Sequence, residues 1–198
     1  MSLTINHQTN DISATSGSVT LDGSAVGGGS WSLVSTTTVS SSASAVNFTG
    51  LSGETYYKII AKGVKGSSGV ANVYLRVSRN SSIKSDAAYK TFKEIYTPGS
   101  SSTSVSSASG DTQFWVGRAP SATGGGGQME VFIYDTDAKR VTQTSTGIYN
   151  DSNGNGVVDI RYGHDYTDTS NTLDGLSFFL SSGTIEEGTF SLYSLVTS

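Results

Sequence analysis

One segment of the sequence, DSNGNGVVD, has the residue spacing of a calcium-binding loop. Carboxylate and amide side chains stand at loop positions 1, 3, 5 and 9, and these are Asp151, Asn153, Asn155 and Asp159. Such a loop needs oxygen ligands at alternating positions and a glycine where the chain turns sharply. Position 12 holds Tyr162 instead of the usual bidentate glutamate, and Asn-Gly pairs are also a strong hairpin signal. The segment therefore predicts a β-hairpin turn, with a calcium site as the alternative.

The other titratable side chains form no catalytic pattern. His164 is followed by Asp165, but neighbours in a strand point to opposite faces of the sheet. Glycosidases use paired carboxylates, and the acidic candidates here stand mostly at predicted strand ends or turns, where backbone preference explains them. They are Glu54, Asp111, Glu130, Asp135, Asp137, Asp159 and Asp165. The nucleophile motif G-x-S-x-G does not occur, and the TGGGGQ segment lacks the Lys-Ser/Thr of a phosphate loop. We therefore expect that the protein is not an enzyme.

Aromatic side chains are the remaining candidate binding groups. Alternation places five of them opposite the aliphatic face of their strands: Tyr56, Tyr74, Trp115, Tyr134 and Tyr162. Outward rings offer a stacking platform for sugars, or an apolar contact with another subunit. For the first alternative the candidate glycan-binding residues are Trp115, Tyr134 and Tyr162.

Composition limits the classes of partner. The 198 residues include no cysteine, so disulfides and cysteine-built metal sites are excluded. The net charge is −4 and no basic cluster occurs, which argues against nucleic acid and against anionic lipid as partners. No run approaches the roughly 18 apolar residues of a membrane helix, and the N-terminus lacks the pattern of a signal peptide. We expect synthesis in a cytoplasm.

Short alternating segments separated by turn residues dominate the chain. About ten of them follow one another at spacings of roughly 8–15 residues, which is typical of a β-sandwich or barrel. The length exceeds that of one immunoglobulin-type domain and suits a jelly roll of two packed sheets. The sequence therefore predicts an all-β, two-sheet antiparallel sandwich, most simply a jelly roll, preceded by a short extended N-terminal arm.

Three segments need separate interpretation. Ser85–Tyr96 fits either a helix or a strand, since four-residue spacing competes with β-branched and aromatic residues. Thr97–Asp111 is rich in serine and reads as a long surface loop, or as a linker between two domains. Leu173–Leu195 contains two alternating apolar runs around Ser-Ser-Gly, and it predicts a terminal β-hairpin with buried faces. Leu176, Phe178 and Leu180 would lie on one face, and Phe190 and Leu192 would lie across from them.

The two ends and one central segment resemble phage virion structural proteins, in particular tail-fibre-like and capsid-decoration proteins of marine phages. The N-terminal segment, LTINHQTNDISATSGSVTLDGSAVGG, carries the match at Ile5, Asp11, Ile12, Ala14, Val19, Leu21 and Gly23. The central segment is FTGLSGETYYKIIAKGV, over Phe48–Val64. The C-terminal segment carries the match at Phe178, Phe179, Ser181, Ser182, Gly183, Ile185, Gly188, Thr189, Leu192, Tyr193 and Leu195.

The resemblance implies a structural or adhesive role in a virion assembled in the host cytoplasm. Residues 1–30 would form a docking arm, and residues 31–198 would form a projecting jelly roll. Other virion proteins, from the capsid or the tail, would be its partners, together with further copies of the chain in a homo-oligomer, most simply a trimer. The alternative function is a carbohydrate-binding adhesion module that recognises a host-surface glycan, with or without calcium.

Overall fold

A computed structural model describes most of the chain. It covers residues 3–6, 11–14, 20–21, 24–25, 30–51, 56–96, 103–121, 123, 125–135, 141–150, 156–165 and 172–196. Side chains are described from residue 31 onward, apart from those of Asp135, Asp165 and Val196.

All regular elements in these ranges are β-strands, in agreement with the all-β prediction. They are β1 (Leu3–Asn6), β2 (Asp11–Ala14), β3 (Thr20–Leu21), β4 (Ser24–Ala25), β5 (Ser30–Val39), β6 (Val46–Thr49), β7 (Tyr56–Gly66), β8 (Ala71–Arg79), β9 (Ser82–Ile83), β10 (Tyr89–Tyr96), β11 (Thr103–Asp111), β12 (Phe114–Ala119), β13 (Gly127–Asp135), β14 (Val141–Asn150), β15 (Gly156–Asp165), β16 (Leu173–Leu180) and β17 (Ile185–Val196).

Eight of the strands cross repeatedly between two sheets along the chain, and among them only β8 and β12 follow each other within one sheet. The larger sheet contains the sequence of neighbours β5-β17-β7-β13, and the smaller sheet contains β6-β16-β8-β12. All these pairings are antiparallel. Eight strands that cross repeatedly between two packed sheets form a jelly roll. The predicted two-sheet antiparallel sandwich is therefore confirmed.

Four further strands widen the larger sheet beyond β13. They continue it in the order β14-β15-β10-β11, so that the whole sheet has eight strands. In the chain, β10 and β11 lie between β8 and β12, and β14 and β15 lie between β13 and β16. We call this four-stranded extension the wing. Its inner face packs against β12 of the smaller sheet.

Two of the segments with ambiguous sequence patterns contain strands of the wing. Tyr89–Tyr96 is strand β10, so the strand interpretation of Ser85–Tyr96 is confirmed over the helix. The prediction of a loop or interdomain linker over Thr97–Asp111 is wrong for its described part, because Thr103–Asp111 forms strand β11 along the length of β10. Serine-rich composition suggested a loop, but a strand at the edge of a sheet with both faces in solvent does not need apolar side chains.

The core lies between the two sheets of the jelly roll. Strand β8 buries alternate residues, among them Val73, Leu75 and Val77, as the alternation predicts. Strand β7 does the same with Tyr57 and Ile59.

The terminal stretch has the predicted buried faces but not the predicted pairing. Strands β16 and β17 belong to different sheets, so the hairpin prediction for Leu173–Leu195 is wrong. Residues between the strands carry the chain from one sheet to the other, and Gly183 there adopts a positive φ of 71° that suits glycine. Phe178 and Phe190 meet across the core with ring centroids 5.7 Å apart. Alternation identifies which side chains are buried, but it does not identify the strand that supplies the hydrogen bonds.

The described strands near the N-terminus form two small ladders of their own. Strand β1 pairs with β2, and β3 pairs with β4. Neither ladder contains a strand of the two jelly-roll sheets. The division into an arm of residues 1–30 and a body of residues 31–198 stays a prediction.

Candidate functional site

A row of outward side chains crosses the larger sheet from edge to edge. Strand register fixes its members, because residues paired across antiparallel strands project from the same face. The row contains Leu33, Tyr193, Lys58, Phe132, Thr144, Tyr162, Phe92 and Ser107. We call it the aromatic row. Outer faces of sandwich sheets are normally polar, so four aromatic rings in one row are a feature that folding alone does not require.

A second row runs parallel to the aromatic row, at a distance of two residues along each strand. It contains Tyr56, Tyr134, Thr142, His164, Lys90 and Ser109. Tyr56 and Tyr134 form an edge-to-face pair with ring centroids 5.2 Å apart. We call this row the polar row, because its wing part carries hydroxyl groups and two basic side chains.

On the jelly-roll part of the sheet, the aromatic side chains are largely engaged with one another. Trp31 packs edge-on against Phe132, with ring centroids 6.0 Å apart. The ammonium of Lys58 lies 4.9 Å from the centre of the Trp31 ring and 5.6 Å from that of Tyr193. The same ammonium is 3.9 Å from a carboxylate oxygen of Glu130. The aromatic rings in this part of the sheet are therefore packed against neighbouring side chains of the same surface.

On the wing the two rows line an open groove of about 510 Å³. Phe92 and Tyr162 form its apolar part, with ring centroids 6.2 Å apart and exposed fractions of 36% and 47%. Hydroxyl groups and basic side chains surround the rings: Ser107, Ser109, Thr142, Lys90 and His164. We call it the wing groove. Exposed rings with polar groups at the margin are the surface type expected for a ligand with one apolar and one polar side.

The inner face of the same strands carries a buried ionic network. Asp159 and Arg161 on β15 are both fully buried, and Nη2 of Arg161 lies 2.6 Å from Oδ2 of Asp159. Arg118 reaches the same carboxylate from β12, with its Nε 3.8 Å from Oδ2. Its Nη1 donates a hydrogen bond of 2.8 Å to the hydroxyl of Tyr149. Burial is the main cause that raises the pKa of the Tyr149 phenol. The network joins the wing to the smaller sheet.

Trp115 lies apart from the other two predicted glycan-binding residues. It contacts Tyr74 of the neighbouring strand β8, with ring centroids 5.9 Å apart. The ammonium of Lys93 sits 4.1 Å from the centre of the Trp115 ring. Burial, then repulsion from Arg161 and Arg118, lowers the pKa of Lys93. Tyr134 and Tyr162 share the outer face of the larger sheet, whereas Trp115 fills the junction between the wing and the smaller sheet.

No family model, curated protein or solved structure matches the chain.

The predicted calcium segment is only partly described. Asp151, Asn153 and Asn155 lie outside the described residues, and Asp159 is the fully buried partner of Arg161. The flanking strands β14 and β15 are antiparallel neighbours, with Asn150 opposite Gly156, as a hairpin requires. Among the described residues, no group of three or more potential metal-ligating side chains occurs. In the same part of the chain no helix is long and apolar enough to cross a membrane.

Sequence reasoning identified Tyr162 but missed Phe92 and the buried Arg161. Phe92 lies in the segment where a helix competed with a strand, so its face was undefined. Once β10 is a strand, alternation places Phe92 outward with Lys90 and Glu94. Arg161 could have been recognised as an inward residue, because it continues the alternation of Val157, Asp159 and Gly163 on the inner face of β15.

Proposed function

We propose that this protein is a non-catalytic structural component of a phage particle, a capsid-decoration, head-fibre or small tail-fibre-like protein. The jelly roll, widened by the wing, would project from the particle. The observation that carries the proposal is the separation of strands β1–β4 from both jelly-roll sheets. That separation suits a docking segment that adds strands to a partner. The terminal motifs that resemble marine-phage virion proteins support the same function.

The partners in this proposal are capsid or tail proteins and further copies of the chain, most simply in a trimer. Both outer strands of the larger sheet, β5 and β11, are open edges in the described part of the chain. On β5 the neighbouring apolar residues Leu33 and Val34 are 55% and 47% exposed. Open edges with exposed apolar side chains are suited to contacts between subunits.

Mass spectrometry of gradient-purified phage particles tests this proposal. The particles are those of the phage whose genome encodes the chain. We expect the chain in the particle fraction at a fixed ratio to the major capsid protein. Presence in the lysate but not in washed particles would contradict it. A variant without residues 1–29 provides the docking test, since it should keep the thermal unfolding transition of the full chain and lose particle association.

A second candidate function, carbohydrate binding in host adhesion, is favoured by the wing groove. The half-exposed rings of Phe92 and Tyr162 can stack on the apolar face of a sugar ring. The hydroxyl groups of Ser107, Ser109 and Thr142 can exchange hydrogen bonds with sugar hydroxyls. The two functions are compatible, because a projecting virion protein can carry an adhesive surface.

A glycan array with the full chain tests the second function. Tyr162→Ala removes a ring from the groove, and we expect the affinity for any glycan that binds to fall about tenfold. Tyr96→Ala is the matched control, because Tyr96 is an exposed tyrosine of the same strand as Phe92 but does not line the groove. Equal signals from the two variants would contradict binding in the wing groove.

A further inference from the structure

We infer that the open edge of β11 pairs with β11 of a second copy of the chain, antiparallel and about a two-fold axis. The inference rests on the self-association in the proposed function, and it selects one of the two open edges of the larger sheet. It also predicts an even number of copies in place of a trimer. Three observations carry it: the regular and exposed edge of β11, its lack of charged residues and proline, and the fit of the strand to its own copy.

Strand β11 is a long and regular edge. Its residues Thr103–Ser109 pair one by one with Lys90–Tyr96 of β10, and the register shifts only at Gly110, which has a positive φ of 77°. All residues from Thr103 to Gly110 are exposed, and no described strand lies beyond β11 in the sheet. The regular segment of seven residues is about 24 Å long. The backbone N–H and C=O groups that point away from β10 are therefore a template for another strand.

The edge of β11 lacks the features that normally prevent strands from pairing between molecules. Natural edge strands are protected by charged side chains, by proline or by bulges. The segment Thr103–Ser109 contains no charged residue and no proline, and its register with β10 has no bulge. The other open edge, β5, is interrupted, because a register shift beside Tyr193 leaves Val34 as a bulge. Of the two edges, β11 is therefore the one suited to pairing with another strand.

The strand also fits its own copy. Two uncharged strands of serine, threonine, alanine and valine meet without like-charge repulsion and without bulky side chains. The register that uses all of Thr103–Ser109 places Ser106 on the two-fold axis. The Val105 side chains of the two copies, each 55% exposed in the single chain, are then diagonal neighbours on the outer face. Such a pair is closed, since it uses the β11 edge of both copies, and it leaves the wing groove open.

Sedimentation equilibrium of the full chain tests the inference. Pairing of one strand from each copy buries less surface than a standard interface, so we expect a reversible dimer with a Kd on the order of 1–100 μM. The measured mass should rise from one chain to two between about 1 μM and 1 mM protein. A mass of one chain over this whole range would overturn the inference. A mass of three chains would also overturn it, and would favour the trimer of the proposed function.

Three matched variants locate the interface. Leu33 on β5, Val105 on β11 and Ile148 on β14 project from the outer face of the larger sheet, and each is 55% exposed. Val105→Lys brings two ammonium groups together near the two-fold axis, and it should raise the Kd of the dimer at least about tenfold. Leu33→Lys and Ile148→Lys add the same charge away from the β11 edge, and they should leave the Kd unchanged. Thermal unfolding of each variant confirms that it folds.

The outcomes separate the inference from the function on which it rests. Equal weakening by Val105→Lys and Ile148→Lys would overturn the inference, since the dimer would then use the outer face of the wing. Weakening by Leu33→Lys alone would also overturn it, and would assign the contact to β5. A chain that stays monomeric but occurs in washed particles would overturn the inference and leave the virion function standing. A chain that dimerises through β11 but is absent from particles would support the inference and reject the virion function.

Discussion

The two faces of the wing are built from the same strands and differ in almost every physical property. On β15 the inward residues Asp159 and Arg161 are fully buried and joined at 2.6 Å, whereas the outward Tyr162 is 47% exposed. The inner face is packed against the smaller sheet, and the outer face forms an open groove. Every second side chain of β15 therefore points inward and stabilises the fold. The side chains between them point outward and form part of a binding surface.

This difference explains how the wing is held as an extension of the larger sheet. A sheet that extends beyond its partner sheet has little apolar core to bury. The ionic network around Asp159 replaces part of that core, since Arg118 of β12 and Arg161 of β15 share its carboxylate. Removing one partner of a buried ion pair strongly destabilises the folded protein, because the other charge stays buried without a counter-charge. The comparison between the two faces therefore predicts opposite consequences for substitutions on neighbouring residues.

The largest effect is expected for Asp159→Asn. This change leaves the buried guanidinium of Arg161 without a counter-charge, and the free energy of unfolding should fall by about 3–5 kcal/mol. Urea denaturation followed by tryptophan fluorescence measures the loss. The double variant Asp159→Leu with Arg161→Met removes the two fully buried charges, and it should recover most of the stability, since the side chain of Arg118 is 27% exposed and keeps its hydrogen bond to Tyr149. A cost below about 1 kcal/mol for the single change would show that the pair is solvated.

A similar or slightly smaller effect is expected in the jelly-roll core, where the stabilisation is apolar. Phe178→Ala removes a ring that contacts both Phe48 and Phe190, with centroids 6.3 and 5.7 Å away. We expect a loss of about 2–5 kcal/mol in the free energy of unfolding, as for other large core truncations. Leu192→Ala on the opposite sheet should behave alike. A loss under about 0.5 kcal/mol, typical of surface positions, would contradict the packing across the core.

The faces of the strands could be predicted from sequence far better than their partners. Alternation along their strands predicts that Val73, Leu75, Phe178 and Leu192 are buried, and all four are. It did not separate β16 from β17, because two apolar strands joined by Ser-Ser-Gly look alike whether they pair in one sheet or face each other across a core. The jelly-roll class followed from strand number and length, but the wing did not. Its edge strand β11 lacks the apolar pattern by which strands are recognised.

The candidate site was predictable in part for the same reason. Tyr134 and Tyr162 were placed outward correctly, since that needs only alternation. Their separation from Trp115 depends on which sheet each strand joins, and this is a long-range property. The pairing of Phe92 with Tyr162 also depends on the register of two strands that are distant in the chain.

A much smaller effect on stability is expected for Tyr162→Ala. Its ring lies on the outer face and is half exposed, so the free energy of unfolding should change by less than about 0.5 kcal/mol. If the groove binds glycans, the same change should lower the affinity about tenfold. Denaturation and glycan binding are measured on the same preparation. A large loss of stability would contradict the separation of roles between the two faces of β15.

The smallest effect concerns a surface carboxylate that, unlike Asp159, is held by hydroxyl groups. Ser42 and Thr184 donate hydrogen bonds of 2.6 and 2.7 Å to Oε1 of Glu186, and these lower the pKa of Glu186 below its ordinary value of 4.5. A carboxyl whose pKa is lowered by folding adds stability above its unfolded pKa, and the contribution disappears as pH falls through the folded pKa. Ser42→Ala should therefore raise the pKa of Glu186 toward 4.5, as measured by an NMR titration. It should reduce stability near neutral pH slightly and leave stability unchanged at a pH below both pKa values. An unchanged pKa in Ser42→Ala would show that the hydroxyl of Thr184 alone holds the carboxylate.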